Sequence, residues 1–371
     1  MKKSSKFVLA LSTMLASTIG VGIFSLPYIT VQVGLWVMLG YLVAMAGIIL
    51  VINLFFSEIA LQTPDFLRFP GFCQVHLGKI GKLISTVIMI VGSMGAILAF
   101  IIIGGGFLTS LLSPVFGGST LLYTFIYFGF GAFYIFWGLK VITRIDLIGI
   151  VLFLMSLLLI AWRGAGFFNV SNLPFDLASA GALFLPFGPL LFALWSSSLI
   201  PEIEEVLEGD KRDIKKVVTL GTLIPAVCYL VFIVMVVLVS GDLTSTDALS
   251  GLKNILGQDA VGIIFFAGLI TSFTCFITIG VNLKEILWYD IKIPKNISWI
   301  LACLPPMLLY AIGFKSFIGT VSFIGGIALA LQGVLILLMY RKIKNARFKF
   351  LIYPLLLVFA IGIIYEIIYL T

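Results

Sequence analysis

The sequence contains little charge, and this scarcity excludes a fold surrounded by water. Only 11% of its 371 residues are Asp, Glu, Lys or Arg, whereas 61% are hydrophobic. Soluble domains carry about 25% charged residues, because these residues cover the surface that faces water. The mean hydropathy of +1.22 agrees with this composition. Lipid must therefore solvate most of the chain, and helices are the elements that we expect to cross it.

Histidine and cysteine are also scarce, which argues against metal and enzyme chemistry. The chain has one histidine, His76, and its four cysteines are scattered without C-x-x-C spacing. Zinc sites and disulfide frameworks need clustered ligands or regularly spaced cysteines. We therefore expect no metal centre, no enzymatic cofactor and no enzyme. The net charge of +7 lies in short gaps between apolar runs, where basic residues set membrane topology rather than bind nucleic acid.

Apolar runs long enough to span a membrane recur along the chain. A spanning helix needs about twenty apolar residues. Eleven runs approach this length, at residues 7–31, 35–59, 83–112, 120–138, 145–163, 181–200, 216–240, 260–283, 297–313, 317–340 and 350–369. With the N-terminus inside, all Lys and Arg residues except Arg163, Lys253 and Lys315 fall on inside segments. We expect a multi-pass protein of a prokaryotic plasma (inner) membrane, with a cytoplasmic N-terminus and an external C-terminus.

Two of these runs contain residues that interrupt a helix in mid-membrane. The first has Gly20 and Gly22 followed by Pro27, and the sixth has three prolines, one glycine and a serine triplet within residues 185–201. Breaks free backbone groups that lipid cannot satisfy, so they persist where they are packed in protein or line a wet cavity. Free N–H groups suit a carboxylate and free C=O groups suit a cation. Alternatively, the glycines form a helix-packing notch and the prolines are simple kinks.

The interrupted runs are the first and the sixth, which are five spans apart. Because five is odd, the second set of five begins on the opposite side of the membrane, which predicts an inverted repeat. We expect a single transmembrane transporter domain over residues 1–371, with repeats at about 7–163 and 181–340 and an extra helix at about 350–369. Interrupted segments at matching positions of two repeats indicate the binding site of a transporter.

Three segments of the chain carry a family resemblance. Residues 17–27 read Ser-Thr-Ile-Gly-Val-Gly-Ile-Phe-Ser-Leu-Pro and resemble the glycine-rich first helix of the amino acid–polyamine–organocation (APC) superfamily. Residues 192–195 and 200–205 resemble its sixth helix and the acidic end of that helix, and residues 267–273 are similar to its eighth helix. The tryptophan/tyrosine permease type is the most similar group. The resemblance implies an all-α integral membrane protein with a 5+5 inverted-repeat (LeuT-like) transporter fold and an additional eleventh helix.

The same resemblance implies a substrate site at the two breaks. The residues that would offer backbone to the substrate carboxylate are Thr18, Ile19, Gly20, Val21 and Gly22. The residues that would surround the amino group and the side chain are Phe192, Ala193, Trp195 and Ser196. Alternatively, Trp195 belongs to an aromatic belt that faces lipid.

The resemblance further implies a cation site between the first and eighth helices. On that pattern Ala16 and Ile19 would give carbonyl oxygens, and Thr271 and Ser272 would give hydroxyls, which suits a sodium ion. Alternatively, both hydroxyls simply bond to carbonyls of the preceding turn. Some proton-coupled relatives have a lysine in the fifth helix, and residues 152–160 contain none. Sodium and protons both remain open as the coupling cation.

Charge is nearly absent from the centres of the predicted helices. Glu58 and Asp146 lie near one predicted membrane edge, and Arg163 and Glu366 lie near the other. A charged substrate side chain would need a partner there, so we expect a neutral, bulky apolar or aromatic amino acid. The predicted function is secondary active transport by a symporter or permease with alternating access. The alternative is a transporter-like nutrient sensor, a receptor subunit that binds an amino acid without transporting it.

Overall fold

Helices form all the regular structure in the described part of the chain. The computed structural model describes residues 3–63, 67–138, 142–176, 182–344 and 348–370. The α-helices are α1 (Lys3–Thr18), α2 (Leu26–Val33), α3 (Leu35–Leu61), α4 (Phe69–Phe116), α5 (Thr120–Trp137), α6 (Ile142–Gly164), α7 (Phe187–Leu194), α8 (Ile200–Val206), α9 (Lys211–Ser240), α10 (Lys253–Leu256), α11 (Gln258–Glu285), α12 (Lys295–Ala311), α13 (Phe317–Phe323), α14 (Ala330–Lys342) and α15 (Ile352–Leu370).

Each of the eleven predicted runs coincides with helix. Eight helical stretches of the described residues are long and apolar enough to cross a membrane. The other three predicted runs correspond to α6, to the pair α7 and α8, and to α12, which are interrupted, short or less apolar. The predicted repeat boundary at residue 181 and several residues used for the topology prediction lie outside the described residues: Lys2, Lys140, Arg347 and Thr371. The side chains of Arg144 and Asp146 are likewise outside the described set.

The predicted interruption of the first run is confirmed. Helix α1 ends at Thr18, a 3₁₀ turn occupies Val21–Ser25, and α2 follows. Gly20 between them is extended, with φ −106° and ψ −161°. Pro27 stands in the first turn of α2, where its missing N–H costs nothing, so it starts a half-helix rather than kinking a continuous one.

The sixth run is interrupted in the same way. Helix α7 ends at Leu194, Trp195 is extended with ψ 119°, and a 3₁₀ turn at Ser197–Leu199 leads into α8. Pro201 stands in the first turn of α8 and repeats the role of Pro27. The two breaks are therefore built alike.

A third irregularity, which the sequence did not predict, lies between α13 and α14. Residues Ile324–Leu329 form a π-helical segment. A Cβ added at Gly325 would lie 1.8 Å from the Gly188 carbonyl oxygen, and one added at Gly188 would lie 2.5 Å from the Ser322 carbonyl oxygen. Helix α7 and this segment are thus in backbone-to-backbone contact, which only glycine permits.

The core is formed by long helices that pack through small residues. Helix α11 packs along α4, α5 and α6, while α9 packs against α1 and α3. Gly131 of α5 receives the Phe276 ring and Gly280 of α11 receives Ile135. Large apolar side chains on the outside of the bundle are exposed, among them Leu158. A surface of this kind fits lipid and would aggregate in water.

The contact between α7 and the π-helical segment predicts a destabilising substitution. We expect Gly325→Ala to lower the free energy of unfolding by about 1–3 kcal/mol or more, because the added methyl must displace the backbone at Gly188. The matched control is Gly129→Ala in α5, where an added Cβ meets no atom within 4 Å. Thermal unfolding in detergent measures both. Equal melting temperatures for the two variants would contradict the close approach.

Candidate functional site

A cavity lies between the two interrupted helices. Its empty volume is about 1120 Å³, a figure that includes open solvent at the edge of the cavity. Its wall is made by the two breaks together with parts of α4, α11, the π-helical segment and α14. The predicted site residues that line it are Ala16, Thr18, Gly20, Val21, Gly22, Phe192, Ala193 and Trp195. The structure does not bring Ile19, Ser196, Thr271 or Ser272 to this wall.

Tyr229 of α9 joins the two breaks. Its hydroxyl lies 2.5 Å from the Thr18 carbonyl oxygen and 2.8 Å from the Ala193 carbonyl oxygen. Both carbonyls are at the ends of half-helices, where continuation of the helix would have paired them. Tyr229 is fully buried, so water does not replace this contact. This role of Tyr229 could not be predicted from the sequence, because α9 resembles an ordinary spanning helix.

Asn53 of α3 holds the serines of the second break. Its side-chain amide donates to Ser196 Oγ at 3.0 Å and to Thr222 Oγ1 at 3.2 Å, and its oxygen accepts from Ser197 Oγ at 2.6 Å. Ser196 is consequently buried in this network, away from the cavity. Ser196 does not line the cavity, so the structure does not place it at the predicted substrate contact.

The backbone N–H groups at the first break are of two kinds: those hydrogen-bonded to carbonyls of the same run, and those at the start of the helical turn that follows. The Ile19 N–H donates to the Leu15 carbonyl and the Gly20 N–H donates to the Thr18 carbonyl, each at 2.8 Å. The helical turn that follows begins at Val21, and first-turn N–H groups lack intrahelical partners. Val21 and Gly22 both line the cavity. Of the residues predicted to bind the substrate carboxylate, Val21 and Gly22 therefore have the best placed N–H groups. Ile19 is instead a buried core residue.

Two buried polar atoms on the cavity wall have no hydrogen-bond partner within the described part of the protein. They are Trp195 Nε1 and Thr278 Oγ1. An unpaired buried polar group costs about 1–3 kcal/mol, which a ligand or water in the cavity would recover. Trp195 is 9% exposed and packed inside the bundle, so it does not belong to a lipid-facing belt. Thr278 was missed, although it shares a helical face of α11 with Cys275 and Asn282, which also line the cavity.

The rest of the wall is mainly apolar or small. Phe192 and Phe100 supply rings, Met89 supplies a flexible thioether, and Gly92 and Ala96 leave room along α4. Apolar walls with a few polar groups are typical of ligand pockets. This composition suits a bulky, flat apolar group with one or two polar ends.

The two predicted hydroxyl ligands of the cation are hydrogen-bonded within the protein. Thr271 Oγ1 donates to the Ala267 carbonyl at 3.0 Å, and Ser272 Oγ donates to the Leu269 carbonyl at 2.9 Å. Ser272 also accepts from the Tyr127 hydroxyl at 3.2 Å. These are the bonds to the preceding turn that formed the alternative interpretation. The hydroxyls keep free lone pairs, so a cation site with Ala16 and Ile19 stays a prediction. Among the described residues, no group of three or more His, Cys, Asp or Glu could hold a metal ion.

The cavity wall ends near Ile286, beside a cluster of charged residues. Arg68, just before α4, donates to Glu285 Oε2 at 2.7 Å. This ion pair joins the start of α4 to the end of α11. Desolvation and the neighbouring Glu205 raise the pKa of the Glu202 carboxyl, and Arg68 acts in the opposite direction. Arg68 thus acts on the carboxyl groups of both Glu285 and Glu202, which links the end of α11 to α8 electrostatically.

Comparisons with known proteins place the chain in a family of transporters. A sequence profile of the tryptophan/tyrosine permease family matches residues 3–369. The tyrosine-specific transport system 1 of Haemophilus influenzae (strain ATCC 51907 / DSM 11121 / KW20 / Rd) is 25% identical over an alignment of 339 residues that covers 82% of this chain and 81% of that protein. The profile match extends through both interrupted runs. These proteins are transporters rather than enzymes.

Solved structures of transporters share the fold. The inward-facing conformation of Mhp1 superposes with a TM-score of 0.73 at 15% identity, covering 98% of this chain and 88% of that one. MhsT in complex with L-phenylalanine gives a TM-score of 0.62 at 15% identity, covering 98% and 97%. The prediction of an all-α, 5+5 inverted-repeat (LeuT-like) fold with an eleventh helix is confirmed.

The bridge made by Tyr229 predicts the effect of removing one oxygen. We expect Tyr229→Phe to lower the free energy of unfolding by about 1–3 kcal/mol, because the buried Ala193 carbonyl loses the hydroxyl donor and the Thr18 carbonyl keeps only the Gly20 N–H. Tyr353→Phe is the control, since Tyr353 is 65% exposed on α15. The measurement is the melting temperature in detergent without ligand. A Tyr229→Phe protein as stable as the control would show that the bridge is dispensable.

Proposed function

The chain belongs to the tryptophan/tyrosine permease family, and from this premise we propose that it moves an aromatic amino acid by cation-coupled, alternating-access transport. The observation that carries the proposal is the cavity between the two breaks, with its apolar wall and its two unpartnered polar atoms. The relative from Haemophilus influenzae is a tyrosine transport system, and the similar MhsT structure contains L-phenylalanine. These substrates have the flat apolar group that the wall suits.

The substrate carboxylate is assigned to the start of the second half of the first run. Val21 and Gly22 begin that half-helix and line the cavity. A helix N-terminus attracts negative charge through its unpaired N–H groups and its dipole. Ile19 and Ser196, which do not line the cavity, affect the substrate through the shape of the breaks rather than by contact.

The aromatic side chain is assigned to the space beside the second break. Phe192 and Trp195 from that break and Phe100 of α4 all line the cavity. Trp195 Nε1 and Thr278 Oγ1 would then meet a polar atom of the substrate or its bound water. Aromatic rings stack or pack edge to face at a further gain of about 0.5–1.5 kcal/mol per pair.

Alternating access follows from the way the breaks are packed. A Cβ at Gly22 would lie 2.7 Å from the Ala193 Cα atom, so the two interrupted runs are in direct contact at the site. A ligand held by both runs can change their relative position, which opens one side as the other closes. The repeats at about 7–163 and 181–340, the cytoplasmic N-terminus and a cation at Ala16, Ile19, Thr271 and Ser272 belong to this proposal.

The decisive experiment is uptake into proteoliposomes. Radiolabelled L-tyrosine, L-phenylalanine and L-tryptophan are offered with an inward sodium gradient, an inward proton gradient or neither. Concentrative uptake under one gradient supports the transporter and identifies its coupling cation. Saturable binding without uptake under any gradient would contradict transport and favour the nutrient sensor.

Substitutions at Gly20 test the site, because they change the size of a side chain at the cavity without changing the stability of the protein. A Cβ at Gly20 would meet only Cys275 Sγ at 3.7 Å and a carbonyl at 3.8 Å, so Gly20→Ala fits. The longer side chain of Gly20→Leu would extend into the cavity that Gly20 lines. We expect normal uptake for the Ala variant and loss of uptake for the Leu variant, with equal melting temperatures. Full uptake by both variants would show that the substrate binds elsewhere.

Trp195 supplies a test of the polar contact. We expect Trp195→Phe, which keeps a ring but removes Nε1, to raise the KM of uptake by about 3- to 10-fold, the effect of one hydrogen bond. Trp162→Phe is the matched control, because Trp162 is 74% exposed on the outer surface. The same KM for Trp195→Phe and for the unmodified protein would remove this contact from the proposal.

A further inference from the structure

Glu366 is an acidic residue buried in a membrane-spanning helix, outside the cavity. It lies on α15 and is only 2% exposed, although its sequence position suggested the edge of the membrane. Its Oε1 atom has no hydrogen-bond partner, and no Lys or Arg of the described residues pairs with it. Ionisable residues inside membranes are rare and costly, and they mark sites of function.

The carboxyl rests on the π-helical segment. A Cβ added at Gly326 would lie 2.8 Å from Glu366 Oε2 and 2.9 Å from its Cγ, so the glycine makes the space that the carboxyl fills. Two other residues of the same segment, Ile324 and Leu329, line the cavity. One turn away on α15, Gly362 contacts the Phe187 ring at the start of α7. Glu366 therefore contacts the π-helical segment, and other residues of the same segment line the cavity.

Among the described residues, none around Glu366 carries a charge that could compensate a carboxylate. Helix α15 packs against α14, the π-helical segment, α7 and a 3₁₀ turn at Lys349–Leu351. The ionisable side chains described on these elements, on α15 itself and beside it are Tyr41, Tyr340, Arg341, Lys342, Lys349, Tyr353 and Tyr365. Of the three cations, Lys349 precedes α15, whose first residue is about 21 Å from Glu366 along the helix, and Arg341 and Lys342 are at the end of α14. A carboxylate without a partner is very costly in such surroundings, so the neutral acid is the form that fits here.

We propose that Glu366 is a proton-binding site whose occupancy sets the position of the π-helical segment and, through it, the shape of the cavity. Binding adds one proton to the carboxylate and removes one negative charge, and release requires the segment to move so that water reaches the carboxyl. A proton that binds one conformation better shifts the equilibrium toward it. π-helical segments often occur at functional sites. This inference rests on the proposed transport function. It adds to that function the residue that binds the coupling proton.

The test compares two assays on Glu366→Gln in proteoliposomes. Glutamine has the size of the neutral acid but binds no proton. We expect accumulation of labelled aromatic amino acid under an inward proton gradient to be lost, while counterflow exchange, which needs no driving ion, is retained. Glu58→Gln is the matched control, because Glu58 is also an acid of a spanning helix but accepts from the Tyr340 hydroxyl at 3.0 Å. It should retain both activities.

Several results would overturn the proposal. One is proton-driven accumulation by Glu366→Gln at the level of the control, and another is an unmodified protein that accumulates substrate only with sodium. If the Gln variant does not fold, Glu366→Asp replaces it, because it keeps a carboxyl on a shorter side chain. Its pH profile of uptake should shift, and an unchanged profile counts against the site. Absence of counterflow in the unmodified protein would instead contradict transport itself.

Discussion

The structure depends on how it satisfies backbone groups that are freed inside the membrane. Two spanning runs are interrupted at Gly20 and at Trp195, and lipid offers no partner for the resulting carbonyl and N–H groups. The Tyr229 hydroxyl donates hydrogen bonds to a carbonyl of each break. The Asn53 side chain is hydrogen-bonded to the serines that follow the second break. The breaks are therefore held by α3 and α9, which are themselves uninterrupted. Such fixed irregularity is what allows a polar site to exist at membrane depth.

The cavity is a consequence of the same arrangement. Because the carbonyls at Thr18 and Ala193 are already paired, the groups left for a ligand are the N–H groups that start the next half-helix and the side chains on the wall. Those side chains are apolar except at a few points, and two polar atoms, on Trp195 and Thr278, lack hydrogen-bond partners among the described residues. An amino acid with an aromatic side chain matches both features, since it brings a carboxylate, an amino group and a flat apolar ring. Family membership and pocket chemistry thus agree by separate arguments.

Much of the fold could be predicted from sequence because the relevant rules are local. Length and hydropathy defined the spans, and Gly20, Gly22 and the prolines near Trp195 defined the breaks. The partners of the breaks could not be predicted, because a tyrosine or asparagine in an apolar helix looks the same whether it faces lipid or a freed carbonyl. Ser196 was expected at the substrate for the same reason, although Asn53 holds it. The π-helical segment and the burial of Glu366 depend on contacts between helices that are distant in sequence.

The most direct measurement is an experimentally determined structure of the protein with L-tyrosine bound. We expect ligand density between residues 18–22 and 192–195, with the carboxylate at the Val21 and Gly22 N–H groups and the ring beside Phe192 and Trp195. We also expect Tyr229 to bridge the two breaks when the ligand is present. Density elsewhere in the protein, with the space between the breaks filled by side chains or lipid, would rule out a substrate site between the breaks.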